Sequence, residues 1–183
     1  MKVIIVHGWQ GFEPEHWQKW LFDQLKEKRI EVYLPDLPNP FHPQQNEWIA
    51  ELKKLKPFNE ETILVGHSLG NTAILRLLEK LKKTQKVGKV FLVCGWNEGD
   101  HGIKELSNFF KTPLNWEKIR TQSKQFVVIN SDNDPYFSLE KGKKLAKELG
   151  VQCLVEHNAG HINVKSGFGP YPKLLKMILK DLK

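Results

Sequence analysis

Ser68, in the stretch VGHSLGN, is the residue of this chain whose neighbours most favour nucleophilic chemistry. Together with Gly66 and Gly70 it matches the pattern G-x-S-x-G, in which a strand turns abruptly into a helix and pushes the serine hydroxyl outward. The apolar run TILV precedes the pattern, and apolar residues at helical spacing follow it, as that turn requires. A structural alternative is that Ser68 only caps the N-terminus of the helix.

A serine hydroxyl needs a base to take its proton and a carboxylate to orient that base. Two later loops offer both groups: SDNDP contains Asp132 and Asp134, and EHNAGH contains His157 and His161. We favour Asp134, because the proline behind it fixes its loop, whereas Asp132 lies nearer the strand end and can bond its own backbone. We favour His161, because it lies in a loop, whereas His157 ends a strand as an ordinary edge histidine. His67, beside the serine, points in a direction unsuited to serving it as base.

Backbone N–H groups must hold the oxyanion that forms during acyl transfer. The predicted donors are the amide of Leu69, at a helix N-terminus, and that of Trp9 in the loop VHGWQG, with Gln10 as the alternative to Trp9. Residues 95–124, about 30 in number, are interpreted as a flap over the site, or alternatively as a short helix packed on the sheet. The candidate pocket residues are His7, Trp96, Phe109 and Phe110.

Six apolar runs rich in β-branched residues predict the strands that would carry these loops. They are Lys2–Val6, Glu31–Leu34, Thr62–Gly66, Lys89–Cys94, Gln125–Asn130 and Gln152–Glu156. Segments with helical spacing separate them, so strand and helix alternate along the chain. This alternation predicts a doubly wound α/β fold with a parallel sheet, in a single domain over residues 1–183. In such sheets, ligands bind beyond the carboxyl ends of the strands, where the candidate loops lie.

The composition is that of an ordinary globular protein, with 40% hydrophobic and 27% charged residues. Lys and Arg exceed Asp and Glu by 28 to 21, and the net charge of +7 raises the question of a nucleic acid or an anionic membrane as partner. The lysines stand in small groups on the polar sides of predicted helices, without interleaved aromatic residues, which favours a solvated surface. No apolar stretch reaches the roughly 20 residues of a membrane span. We therefore expect neither a nucleic acid nor a membrane as partner.

Cofactors and metals are not indicated by any motif. His16, His42 and His101 have no metal-ligand spacing, and neither the phosphate-binding nor the dinucleotide-binding glycine motif occurs. Cys94 and Cys153 lie in or at the end of apolar runs, which predicts buried, reduced thiols. The start, MKVIIVHGW, has too short an apolar run for a secretory signal, so a cytoplasmic location is the default expectation.

The stretches VHGW, EHWQKWL, VGHSLGNTAILR, SDNDP and AGH, in this order, resemble the α/β-hydrolase superfamily. The likeness is greatest to the small YdeN-like serine hydrolases, a group that includes retinoblastoma-binding protein 9, and it extends over essentially the whole chain. It implies a compact sheet of six strands in the order 2-1-3-4-5-6, with the nucleophile on Ser68, the acid on Asp134 and the base on His161. The spacing after Cys94 leaves no room for a cap domain.

Together, these residues predict a serine hydrolase that acts by acyl transfer, most simply a carboxylesterase for small or medium acyl groups. The expected substrate is a small-molecule ester or amide, and a protein partner is not indicated. Two alternatives stay open. One is an interaction scaffold with a vestigial hydrolase site, and the other is an aminopeptidase-like amide hydrolase.

Overall fold

The computed structural model describes residues 1–99 and 102–180. The strands are β1 (Lys2–Val6), β2 (Glu31–Tyr33), β3 (Thr62–His67), β4 (Val87–Val93), β5 (Ser123–Ser131) and β6 (Cys153–Glu156). The helices are α1 (Trp17–Glu27), α2 (Gln45–Lys54), α3 (Leu69–Lys80), α4 (Trp116–Thr121), α5 (Leu139–Glu148) and α6 (Pro172–Leu179). All strand pairs are parallel, and their order is β2-β1-β3-β4-β5-β6. The predicted fold class and strand order are confirmed.

Each predicted strand is present, but β4 and β5 begin two residues earlier than their apolar runs. Val87 pairs with Ser123 at the start of both strands. The polar or small residues that follow, such as Gly88 and Lys124, interrupt the apolar pattern without interrupting the pairing. Backbone hydrogen bonds therefore extend these strands beyond the part that hydrophobicity reveals.

Helices cover both faces of the sheet, because neighbouring residues of each strand point to opposite sides. Val3 and Ile5 of β1 pack in the same cluster as α1 and α6, whereas Ile4 and Val6 pack in the cluster that includes α2, α3 and α5. The central strands are accordingly apolar along their length, while β2 and β6 at the edges are partly exposed. Within the two described ranges, no helix combines the length and the hydropathy that crossing a membrane demands.

The segment after β4 is held onto α3 by one buried arginine. The Arg76 guanidinium, only 4% exposed, donates to the carbonyl oxygens of Phe109 (3.0 Å), Thr112 and Pro113 (3.3 Å). It also pairs with Glu79 at 3.0 Å. In its described residues the segment consists of a 3-10 helix at Lys104–Phe109 and the short α4, so it packs on the fold as a strap and forms no cap domain there.

Replacing Arg76 with Met should lower the free energy of unfolding by about 3 kcal/mol, because three carbonyls and the Glu79 carboxylate lose a buried donor. Urea unfolding followed by tryptophan fluorescence measures the change. Arg120→Met is the matched control: Arg120 is exposed and donates to the Glu148 carbonyl at 2.7 Å, so its loss should cost less than about 1 kcal/mol. Equal small losses in both variants would show that Arg76 does not hold the segment.

Candidate active site

Ser68 alone forms the turn between β3 and α3. Its backbone has φ 53° and ψ −124°, a strained conformation for a residue with a side chain. The Ser68 amide donates to the Val93 carbonyl oxygen at 3.0 Å, which anchors the turn to β4. Its side chain makes no capping hydrogen bond to the helix. The alternative in which Ser68 serves as a helix cap is therefore wrong, and its hydroxyl faces a cleft instead.

The two glycines of the turn are required by different neighbours. A Cβ on Gly66 would lie 2.5 Å from the Asn71 side-chain oxygen, in the first turn of α3. A Cβ on Gly70 would lie 2.4 Å from the carbonyl oxygen of Val6, so α3 packs directly against the end of β1. Both contacts are closer than real Cβ atoms allow. The pattern G-x-S-x-G thus reflects two close approaches on either side of one partly exposed serine.

The sequence left two aspartates as alternatives for the acid and two histidines as alternatives for the base. In the structure these four residues form two separate Asp–His pairs. Asp134 Oδ2 lies 2.7 Å from His161 Nδ1, and the two side chains are 0% and 9% exposed. Asp132 Oδ2 lies 2.6 Å from His157 Nδ1, but that histidine is 78% exposed. Of the four residues, His161 lines the cleft next to Ser68. The buried pair is thus the pair that shares a site with the serine.

The Asp134 carboxylate is held by three further donors. Its Oδ1 accepts the backbone amides of Tyr136 (2.8 Å) and Phe137 (3.2 Å), which follow the proline of the same loop. The Cys94 thiol also bonds this carboxylate. Burial, and then the nearby Asp134 charge, raise the pKa of Cys94 well above its usual value, so the thiol stays protonated and acts as the donor. Asp134 is therefore fixed as an acceptor aimed at His161.

The loop after β1 brings a second backbone donor toward the serine. A Cβ on Gly8 would lie 3.0 Å from Ser68 Cβ, so the two turns are in contact. The Gln10 amide donates to the Pro40 carbonyl oxygen at 2.8 Å and is occupied. For the amides of Trp9 and Leu69, no acceptor is found in the described part of the chain. This difference favours Trp9 over the alternative donor.

His7 was predicted in the pocket, and this prediction is wrong. The ring is fully buried, its Nδ1 donates to the Gly8 carbonyl oxygen at 2.7 Å, and its Nε2 accepts the Leu37 amide at 3.1 Å. Burial lowers the pKa of His7, in keeping with a neutral ring that has one donor and one acceptor nitrogen. His7 therefore shapes the loop beside the serine without lining the cleft.

A cleft of about 450 Å³ opens beside Ser68 and His161. Trp96 lines it as predicted, but Phe109 and Phe110 do not. Phe109 is fully buried on the far side of the segment, where its ring meets that of Trp48 edge to face at 5.5 Å. Phe110 stacks on Trp96 at 5.6 Å and supports it from behind. Of these three aromatic residues of the segment, one lines the cleft and two pack against other rings outside it.

Seven apolar side chains among the described lining residues were not predicted from the sequence: Phe12, Phe41, Ile103, Leu106, Tyr136, Phe137 and Val164. Tyr136 meets the His161 ring edge to face at 4.8 Å, and Phe137 stacks on Trp96 at 4.0 Å. Both directly follow the Asp-Pro pair at residues 134–135, which is a signal that sequence reasoning could have used. The others come from distant loops and carry no local signal.

His67, Cys94 and His161 form a cluster whose possible ligand atoms all lie within 4.8 Å of one another. Two features disfavour a metal ion there. The Cys94 thiol remains protonated, and the His67 Nε2 is bonded to the His161 carbonyl oxygen at 2.9 Å. His16 lines the cleft, His42 does not, and His101 lies outside the described residues. The expectation of no metal site stays a prediction.

The family model described as serine hydrolase matches residues 3–180 of the chain. YdeN of Bacillus subtilis (strain 168) is 30% identical over 172 residues, a match that covers 93% of this chain and 90% of YdeN. Serine hydrolase RBBP9 of Rattus norvegicus is 24% identical over 160 residues, with 86% of this chain and 80% of RBBP9 covered.

Solved structures show the same likeness. The crystal structure of the ydeN gene product from B. subtilis has a TM-score of 0.91 and 28% identity, with 98% of this chain and 97% of that chain covered. Carboxylesterase CesB (YbfK) from Bacillus subtilis shares the fold at a TM-score of 0.60 and 13% identity, with 99% of this chain and 83% of CesB covered. The predicted resemblance to the α/β hydrolases is confirmed.

The buried His16 should make the stability of the protein depend on pH. His16 caps α1, where its Nδ1 accepts the Gln18 amide at 3.3 Å. Burial, and then the positive charge of His161, lower the pKa of His16 to about 4 from 6.5. Because the folded-state pKa lies below the unfolded one, the unfolded state binds the extra proton, and stability is lost as pH falls from 6.5 to about 4.

The His16 contribution to this loss is about 3 kcal/mol, at about 1.4 kcal/mol per unit of pKa shift. In His16→Asn, which keeps a capping oxygen but does not titrate, the unfolding free energy should fall by that much less over the same pH range. Urea unfolding at pH 7 and pH 4 measures both proteins. Parallel pH dependence in the two would contradict the assignment.

Proposed function

The chain belongs to the serine hydrolase family, and we propose that it cleaves carboxylic esters with small or medium acyl groups by acyl transfer through Ser68, His161 and Asp134. One observation carries the proposal. Ser68 has a strained backbone, and its side chain makes no capping hydrogen bond to α3. It shares a cleft with His161, whose Nδ1 is bonded to the buried Asp134 carboxylate. Nucleophile, base and orienting group thus stand in the order that acyl transfer needs.

His161 acts as the base through Nε2. Because Asp134 accepts the hydrogen on Nδ1, the lone pair lies on Nε2, which faces the side of the ring away from the carboxylate. Nε2 takes the proton of the Ser68 hydroxyl as Oγ attacks the substrate carbonyl carbon. The imidazolium then gives this proton to the departing alkoxide, and an acyl-serine remains. Water, activated by the same histidine, hydrolyses the acyl-serine and regenerates the hydroxyl.

The amides of Trp9 and Leu69 stabilise the oxyanion. The carbonyl of Gly8 and the amide of Trp9 belong to one planar trans peptide and so point in opposite directions. Since the His7 ring holds the Gly8 oxygen on one side, the Trp9 N–H faces the other side, with Ser68 next to this turn. Leu69 adds the first N–H of α3, where the helix dipole favours negative charge.

The cleft favours an uncharged, apolar acyl group. Its walls are mainly aromatic and aliphatic, and its volume lies in the range of small-molecule sites. Lys165 and Glu13 are the charged side chains among the described lining residues. Glu13 supports amide hydrolysis of an aminoacyl substrate as a second candidate, because its carboxylate suits an ammonium group. The interaction-scaffold alternative is disfavoured, since the buried Asp134–His161 pair is intact.

Ser68→Ala should lower kcat on p-nitrophenyl acetate and butyrate by about 10⁵- to 10⁶-fold, because no nucleophile remains. Intact mass spectrometry should show one fluorophosphonate adduct on the folded wild-type chain and none on the variant. Ser138→Ala is the matched control, because Ser138 is exposed and its side chain caps no helix. A folded wild-type protein that takes no adduct would refute the proposal.

Asp134→Asn should lower kcat by about 10⁴-fold, because an amide can no longer hold the histidine in the productive tautomer. Asp132→Asn breaks the exposed pair with His157 at the neighbouring position and should change kcat by less than about threefold. Steady-state ester hydrolysis on the two variants gives the comparison. A larger loss in Asp132→Asn would reverse the assignment of the acid.

A further inference from the structure

The loop that carries His161 follows β6 and has an unusual backbone. Asn158, Gly160 and Ile162 have positive φ values of 55°, 53° and 45°. For a β-branched residue such as Ile162 this conformation is strained, and it persists only where the surroundings hold it. The position of the base therefore depends on what restrains this loop.

Side chains restrain the amide side of the loop. Four successive backbone amides each donate to a side-chain oxygen: Asn158 to Asp132 (2.8 Å), Ala159 to Ser131 (3.1 Å), Gly160 to Asn133 (2.7 Å) and His161 to Ser166 (3.1 Å). None of the four acceptors belongs to the cleft wall. These four hydrogen bonds set the distance of the loop from the sheet. Their acceptors belong to the end of β5, to the segment directly after it and to the loop itself.

Two ring nitrogens restrain the carbonyl side, and they come from the elements around the nucleophile. The His161 carbonyl oxygen lies 2.9 Å from His67 Nε2, and the Ile162 carbonyl oxygen accepts Trp17 Nε1–H at 2.8 Å. His67 is the last residue of β3 and immediately precedes Ser68. One residue thus connects the backbone of the nucleophile to the backbone of the base.

The protonation state of His67 follows from its surroundings. Its ring is 5% exposed and lies between the rings of His16 (5.0 Å) and His161 (4.9 Å), with Trp17 edge to face at 5.7 Å. Burial, and then the charges of His161 and His16, hold its pKa well below 6.5. The ring is therefore neutral, and because a carbonyl oxygen only accepts, its single hydrogen is on Nε2.

We propose that His67 is a positioning residue for acyl transfer: its Nε2–H holds the His161 carbonyl and thereby sets the distance between the base and Ser68. The proposal rests on the proposed function of the same site. Without the donor, the buried carbonyl is left unpaired and the strained loop is free to relax, which moves the imidazole away from the serine. His67 itself lines the cleft, but Asn and Gln each keep a polar side chain there and the other lining residues are unchanged, so the effect appears mainly in the chemical step.

His67→Asn and His67→Gln form a matched pair. Both replace the ring by a neutral amide and lose the same ring contacts, but the Gln amide nitrogen reaches the place of Nε2, whereas the Asn amide is one bond too short. We expect kcat to fall about 10- to 100-fold in His67→Asn with KM within about twofold, and His67→Gln to recover most of that loss. Equal losses in both variants, or wild-type kcat in His67→Asn, would overturn the proposal. Circular dichroism at the assay temperature checks that both are folded.

Nuclear magnetic resonance of the histidine rings tests the proposal without turnover. In the wild-type protein, ¹⁵N shifts should report a neutral His67 with its hydrogen on Nε2; a hydrogen on Nδ1 or a charged ring overturns the proposal, even if neither variant folds. The Nδ1 proton that His161 shares with Asp134 should give a low-field signal in wild type and His67→Gln that is lost in His67→Asn. If the wild-type protein hydrolyses no ester, the proposed function fails, but these signals still decide whether His67 positions His161.

Discussion

The turn at Ser68 is the steric constraint on which the rest of the site depends. A strand and a helix are joined there by one residue, so α3 begins directly above the end of β1. At Gly70 the helix approaches the Val6 carbonyl so closely that a Cβ would lie 2.4 Å from it. This approach presses the loop after β1 against the turn, and Gly8 and Ser68 come into contact. The partly exposed Ser68 and the two candidate oxyanion donors are thus products of one packing arrangement.

The Asp134–His161 pair depends on a second arrangement, in which side chains replace the backbone pairing that ends with β5 and β6. A hydroxyl, a carboxylate and a side-chain amide oxygen of residues 131–133 accept the backbone amides of residues 158–160, so the two loops are joined as if the sheet continued. Two Asp–His pairs cross this junction. The outer one is exposed to water and screened, whereas the inner one is desolvated, and a buried pair of this kind must be held in fixed geometry to be tolerated.

The fold could be predicted from the sequence more completely than the site. Apolar runs rich in β-branched residues located the six strands, because burial on both faces of a parallel sheet leaves a continuous apolar run. The order of the strands came from the family resemblance. For the pocket, apolar character predicted burial but not direction: Phe109 packs toward Trp48, and Trp96 faces the cleft. The prediction of His7 as a pocket residue was wrong for a related reason. A histidine at the end of a strand can equally well bond backbone groups with both ring nitrogens, as His7 does.

The stretch EHWQKWL illustrates why a motif can be specific without containing a reacting group. His16 caps α1 and its ring contacts that of His67 at a tilt, Trp17 donates to the Ile162 carbonyl, and Gln18 donates to the Val6 carbonyl at 3.1 Å. Three successive side chains therefore reach the turn at Ser68, the loop that carries His161 and the end of β1. Their partners lie up to 145 residues away, so helical periodicity describes only the face that α1 buries. The polar atoms of these side chains bond or contact groups beside the site, and only the folded chain shows which group each one meets.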